Sequence, residues 1–74
     1  MNIEDINNYI QEQLRLKGQS VTTAVEAADW LDRAGILKDS PHRRGKPLRD
    51  LLRQGLIVGQ RQEPNRRWYI DRIL

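Results

Sequence analysis

The chain has 74 residues, no cysteine and a formal net charge of +3. This length predicts a single domain over residues 1–74 with a small core, and the absence of cysteine excludes a disulfide framework and a thiolate metal site. Because the sequence has neither an apolar run of 18 residues nor a signal-like start, we expect no membrane segment and a cytoplasmic location.

The first predicted element is an amphipathic helix over about residues 3–17. Its apolar residues recur at three- and four-residue spacing: Ile3, Ile6, Ile10 and Leu14. Asn2 can cap its start, and Gly18 follows a lysine in its last turn. The pattern predicts a helix with a narrow apolar stripe.

Residues 19–35 predict a short extended segment followed by a second helix. The stretch 19–21 favours an extended backbone. Thr23 and Glu26 have the spacing of a capping box, so a helix should begin after Thr23. Gly35 marks its end, and the alanine-rich face between these signals would allow close packing in a core.

Trp30 lies off the centre of the apolar face of this second helix. One interpretation is that it covers a second side of a buried helix. The other is that it is an exposed aromatic anchor for a second subunit or another protein.

The segment 39–45 allows two interpretations. Ser40 followed by Pro41 is typical of a helix start, whereas Gly45 and the next proline interrupt a continuation. We predict one helical turn at 41–44 followed by a break, with one longer kinked helix as the alternative.

A third helix is predicted over residues 46–54, with an apolar side and a cationic side. Leu48, Leu51 and Leu52 share the apolar side. The cations Lys46, Arg49 and Arg53 cluster within an arc of roughly 60° on the opposite side. Gly55 ends the helix.

After this helix the spacing of the apolar residues changes from the 3.6-residue period of a helix to the two-residue period of a strand. The apolar runs 56–58 and 68–70 favour strands, and the polar stretch 59–67 between them contains Pro64 and Asn65, which are turn formers. A hairpin joins the two runs most simply. Its tip would carry three cations: Arg61, Arg66 and Arg67.

Charge is distributed unevenly along the chain. Residues 1–39 contain seven carboxylates and four cations, whereas residues 40–74 contain nine cations and three carboxylates. Eight of those nine cations are arginine, the side chain best suited to forked contacts with phosphate or guanine. The distribution indicates a polyanionic partner on one side of the protein.

A basic helix followed at once by a basic-tipped hairpin resembles the winged helix-turn-helix superfamily, over about residues 3–70. The resemblance implies a small α+β fold with three helices and a β-hairpin wing. It further implies a short third strand at 19–21 beside the wing. It also implies sequence-specific or architectural binding of double-stranded DNA for transcriptional regulation, with helix 46–54 in the major groove and wing 59–67 on the backbone. The candidate DNA-binding residues are Arg43, Arg44, Lys46, Arg49, Arg53, Arg61, Arg66 and Arg67.

Other interpretations remain open. The basic helix could be an ordinary solvated face, and the basic hairpin could protect a sheet edge. Winged helices also bind RNA or serve as protein-interaction modules, so the acidic side of helix one or Trp30 could contact a larger partner. A homodimer could use the same surfaces or the tail 73–74.

Catalysis is not expected. The sequence has no Ser/His/Asp order, no cysteine nucleophile and no glycine-rich phosphate loop. His42 is the only histidine, and metal ligation would need partners that the chain lacks. We therefore predict neither a metal nor a cofactor.

Overall fold

Residues 2–73, the part of the chain that this computed structural model describes, form three helices and a three-stranded antiparallel sheet. The elements in chain order are α1 (Ile3–Lys17), β1 (Val21–Thr23), α2 (Ala24–Arg33), α3 (Lys46–Arg53), β2 (Gln60–Gln62) and β3 (Trp68–Asp71). The α+β class and the three predicted helices are confirmed. None of the described helices is long and apolar enough to cross a membrane.

The C-terminal strand β3 lies at the centre of the sheet, whose strand order is β1-β3-β2. Ile70 of β3 is paired with Thr22 on one side and with Gln60 on the other. The short strand expected at 19–21 is present but lies two residues later. The sheet therefore joins the segment before α2 to the hairpin at the end of the chain.

The core lies where the apolar faces of the helices meet the sheet. Each helix supplies buried residues at the predicted spacing, although Ile3 of the predicted stripe is only partly buried. The loop after α3 and strand β3 supply one isoleucine each. The buried apolar residues are Ile6, Ile10, Leu14, Ala24, Ala27, Ala28, Leu31, Leu48, Leu51, Leu52, Ile57 and Ile70. Trp30 and Trp68 are partly buried and pack against this cluster.

The cap of α2 combines the predicted hydrogen bond with a different use of its carboxylate. The backbone N–H of Glu26 donates to the Thr23 hydroxyl at 3.1 Å, as a capping box requires. The Glu26 carboxylate accepts from the Thr22 hydroxyl at 2.8 Å and from the Gln19 amide at 2.9 Å. These bonds connect the start of α2 to β1 and lower the pKa of Glu26, the Gln19 amide having the largest effect.

The strand predicted at 56–58 is wrong, because β2 begins only at Gln60. Side chains rather than a strand ladder satisfy this backbone. The Asn7 amide group donates to the carbonyl of Leu56 at 3.0 Å, and its oxygen accepts from the N–H of Val58 at 2.8 Å. Ile57 is buried in the core while its two neighbours are exposed. The apolar run is thus a core-anchored turn.

The helical turn predicted at 41–44 is also wrong. The alternative of one longer, kinked helix is wrong too, since α3 begins at Lys46. Asp39 organises the segment instead. Its Oδ1 accepts from the N–H of Ser40 at 2.9 Å and from the N–H of Gly45 at 2.8 Å. Hydrogen bonding of this kind competes with helix formation, so the segment is a closed loop.

Candidate nucleic-acid interface

Three arginines that are distant in sequence lie around one cleft. Arg49 comes from α3, whereas Arg66 and Arg67 come from the turn of the β2–β3 hairpin. The cleft has a volume of about 390 Å³. Its remaining lining consists of the start of α2 and two aromatic residues: Thr23, Ala24, Val25, Trp68 and Tyr69. Helix three and the hairpin thus share one concave basic surface, which we call the arginine cleft.

The loop before α3 positions Arg49. Its Nη1 donates to the carbonyl oxygen of Arg44 at 3.1 Å. Gly45 has a φ of 83°, and a Cβ at this position would lie 3.3 Å from Val25 Cγ2 and 3.4 Å from Arg49 Nη1. The close approach of this glycine to α2 leaves the Arg49 side chain half-buried along the wall of the cleft.

A tight turn presents the other two arginines of the cleft. The N–H of Arg66 donates to the Glu63 carbonyl at 2.8 Å, and the N–H of Glu63 donates to the Arg67 carbonyl at 3.0 Å. Arg66 has a φ of 67°, a left-handed conformation that is uncommon for arginine. Both side chains are exposed, and neither forms an ion pair with a carboxylate of residues 2–73. Their charges are therefore available to an anionic ligand.

The outer face of α3 carries a carboxylate among its cations. Asp50 Oδ2 lies 2.9 Å from Lys46 Nζ, and Asp50 Oδ1 lies 2.8 Å from Arg53 Nη1. The hydrogen bond from Lys46 is the largest of the effects that lower the pKa of Asp50. The sequence interpretation counted only the cations of this face, although the spacings i−4 and i+3 from Asp50 indicate both pairs.

Arg61 does not join the arginine cleft. Its Nε lies 2.7 Å from Asp71 Oδ2, and its Nη1 is paired with Glu63. These carboxylates raise the pKa of Arg61 above its ordinary value. The guanidinium also lies over the ring of Tyr69. Of the three predicted hairpin cations, this one is committed to contacts within the hairpin.

The side chains of Arg43 and Arg44 are exposed on the loop before α3 and are directed to different surroundings. Arg43 lies close enough to Asp50 to contribute to its lowered pKa. Arg44 lines a separate depression of about 250 Å³, together with Asp32 and Lys38. The predicted group of eight cations is therefore divided among the cleft, the outer face of α3, the hairpin and the loop.

The fold uses only part of the surfaces proposed for a protein partner or a second copy, because the acidic side of α1, with Glu4, Asp5 and Glu12, stays exposed. The apolar stripe of α1 faces the core. Trp30 packs against the same core, with Lys17 Nζ 5.4 Å from its ring centroid, which agrees with the first of its two interpretations. Ile73 is exposed, and Leu74 lies outside the described residues. The homodimer stays a prediction.

The chain offers little for a metal ion near this surface. His42 is exposed and lies next to two arginines in the sequence. Among residues 2–73, no group of three or more histidine, aspartate or glutamate side chains is placed to hold a metal. The basic character of the surface suits an anion rather than a cation.

Comparisons with known proteins identify no relative of this chain. No family model matches it, and neither a curated protein nor a solved structure does. The interface described above consequently rests on the geometry and charge of its own residues.

Proposed function

We propose that this protein is a winged helix-turn-helix domain that binds double-stranded DNA through the arginine cleft and the outer face of α3. The element order and the β1-β3-β2 sheet support this proposal, because a hairpin follows α3 in the chain, as a wing does in the winged helix-turn-helix fold. The observation that carries the proposal is the convergence of Arg49, Arg66 and Arg67 on one cleft.

The cleft has the properties of a phosphate-binding surface. Arginine donates forked hydrogen bonds to phosphate oxygens, and none of the three guanidinium groups forms an ion pair with a carboxylate of residues 2–73. The start of α2 also lines the cleft, and the partial positive charge at a helix N-terminus adds to the attraction. The cleft would accommodate the sugar–phosphate backbone of one strand.

The outer face of α3 would then enter the major groove, whose width admits an α-helix. Lys46, Asp50 and Arg53 lie on this face, and Arg43 approaches it from the preceding loop. We assign Arg49 to phosphate rather than to base edges. Its guanidinium contacts the loop carbonyl of Arg44 and shares the cleft with the wing.

The proposal is tested by fluorescence anisotropy of labelled duplexes at several salt concentrations. Four to six phosphate contacts predict a log–log slope of roughly −3 to −6. Duplex RNA of the same sequence should bind more weakly, because its narrow major groove does not admit a helix. A flat salt response, or no binding to DNA at low salt, would refute the proposal. Equal or tighter binding of RNA would favour the RNA-binding alternative.

A further inference from the structure

Asp50 is the acidic residue at the centre of the exposed face of α3. Its two carboxylate oxygens contact different cations, Lys46 at 2.9 Å and Arg53 at 2.8 Å. Arg43 also acts on it electrostatically. All three ion-paired side chains are substantially exposed, at 39% for Lys46, 41% for Asp50 and 58% for Arg53. This small network is open to a ligand that approaches α3.

A contribution to helix stability explains poorly why a carboxylate lies at this position. Exposed ion pairs between helix neighbours contribute little, because water and salt screen them. On a face that meets a polyanion, a negative charge also opposes non-specific binding and occupies two cations that would otherwise contact phosphate. An effect on base recognition explains the position of Asp50 better than an effect on affinity.

The Asp50–Arg53 pair is complementary to the major-groove edge of one base pair. A C·G pair presents the N4 amino donor of cytosine next to the O6 and N7 acceptors of guanine. A carboxylate has about four acceptor positions and a guanidinium has five donors, so both groups have capacity left after contacting each other. The acceptor of Asp50 therefore lies beside the donors of Arg53, as the edge of a C·G pair requires.

We propose that Asp50 is a specificity-determining residue of α3: it accepts from cytosine N4 and holds Arg53 against the guanine of the same pair. This inference rests on the proposed function. A T·A pair is rejected at this position because the O4 acceptor of thymine faces the carboxylate. Because Arg53 is already tethered to Asp50, less side-chain entropy is lost when it contacts guanine.

The test selects binding sites from a randomised duplex library with the wild-type protein and with Asp50→Asn. Wild type should prefer C·G over T·A at one position by about 5- to 150-fold. Asp50→Asn should lose this preference at that position only and accept adenine there, since an amide pairs with adenine N6 and N7. Its affinity for random DNA should rise, with a salt slope steeper by about one.

Glu12→Gln is the charge-matched control. It removes one negative charge from an exposed ion pair with Arg15 on α1, outside the residues that line the arginine cleft. It should leave every base preference unchanged. Asp50→Ala should also lose the C·G preference, because it removes the acceptor. Circular dichroism of the wild type and of every variant verifies that the proteins are folded.

The outcomes separate the inference from the function on which it rests. If Asp50→Asn binds random DNA more tightly but selects the same sites as wild type, Asp50 only reduces the positive charge of α3 and the inference is overturned. The same holds if Glu12→Gln changes the preference as much as Asp50→Asn does. Failure of the wild-type protein to bind any duplex would instead overturn the proposed function, and the inference with it.

Discussion

The guanidinium of Arg61 lies 5.0 Å from the centroid of the Tyr69 ring, and the two residues are paired directly across β2 and β3. Arg61 also forms ion pairs with Asp71 and Glu63, one residue in β3 and one in the turn. The cation therefore connects both strands of the hairpin. Its contacts hold the hairpin together, whereas Arg66 and Arg67 form no ion pair with a carboxylate of residues 2–73.

We expect Arg61→Gln to lower the melting temperature with little effect on DNA affinity. The substitution removes the cation–π contact and both ion pairs but takes no charge from the arginine cleft. Thermal unfolding followed by circular dichroism measures the first effect, and anisotropy below the melting temperature measures the second. A salt slope that falls by about one would show that Arg61 contacts phosphate after all.

The double variant Arg66→Asn with Arg67→Gln should bind all duplexes more weakly and reduce the salt slope by roughly two. Asparagine is chosen for position 66 because it tolerates the left-handed φ of 67°. The variant should therefore remain folded, with a melting temperature near that of wild type. Unchanged affinity and slope in a folded variant would exclude the turn of the β2–β3 hairpin from the interface.

Substitution of Arg49 distinguishes a phosphate contact from a base contact. If Arg49 holds the backbone, Arg49→Gln should weaken binding to a selected site and to random DNA by the same factor and reduce the salt slope by about one. Competition anisotropy with both duplexes measures the two affinities. A reduced gap between selected and random DNA would instead assign Arg49 to base edges.

Gly59 immediately precedes β2, and we expect Gly59→Ala to destabilise the protein by more than about 3 kcal/mol. Its φ is 83°, and an added Cβ would overlap the backbone carbonyl of Asp71, which a strand cannot withdraw without breaking its pairing. Gly35→Ala is the matched control. Its φ is 71° but no atom lies within 4 Å of the added Cβ.

The control should therefore show only the cost of the left-handed backbone, about 1–2 kcal/mol. Urea unfolding of both variants measures the difference between them. Equal destabilisation would mean that β3 moves to accommodate the methyl group and that the contact with Asp71 is not rigid.

The stability difference between wild type and Glu26→Gln should depend on pH. Hydrogen bonds from Gln19 and Thr22 lower the pKa of Glu26 below its ordinary value of 4.5. A carboxylate with a lowered pKa in the folded state stabilises the protein above its unfolded pKa, and this contribution disappears as the pH falls through the folded pKa. Because the group is largely exposed, the difference should not exceed about 1 kcal/mol.

Urea unfolding at pH 7, 5 and 3 measures this difference. We expect the largest value at pH 7, a similar value at pH 5 and a smaller value at pH 3. A difference that stays constant to pH 3 would show that the amide substitution acts through packing, without a contribution from the charge of Glu26.

The local elements could be predicted from the sequence because their signals lie within a few residues. The 3.6-residue periodicity placed all three helices, and the end signals at Asn2, Gly18 and Thr23 were confirmed as caps. The strand at 68–70 was also predicted correctly, apart from one further residue. Each of these features depends on backbone sterics and on neighbours within one or two turns.

The two errors arose where distant groups or loop side chains satisfy the backbone. The run 56–58 has the composition of a strand, yet Asn7, about 50 positions earlier in the chain, takes its hydrogen bonds. The segment 41–44 lies in a loop that the Asp39 carboxylate closes over six residues. Composition alone does not show which of several partners a backbone amide will choose.

The sequence by itself determined that the second half of the chain is basic and that α3 has a cationic side. Only the tertiary structure decided which of those cations act together. Arg49 joins Arg66 and Arg67 because the packing of α3 and the hairpin against the core brings them to one cleft. Arg61 forms ion pairs with carboxylates of its own hairpin, and Asp50 forms an ion pair with Arg53 on the outer face of α3. The strength of an electrostatic interaction depends on the distance between the charges in space. The folded structure sets these distances, and positions in the sequence do not.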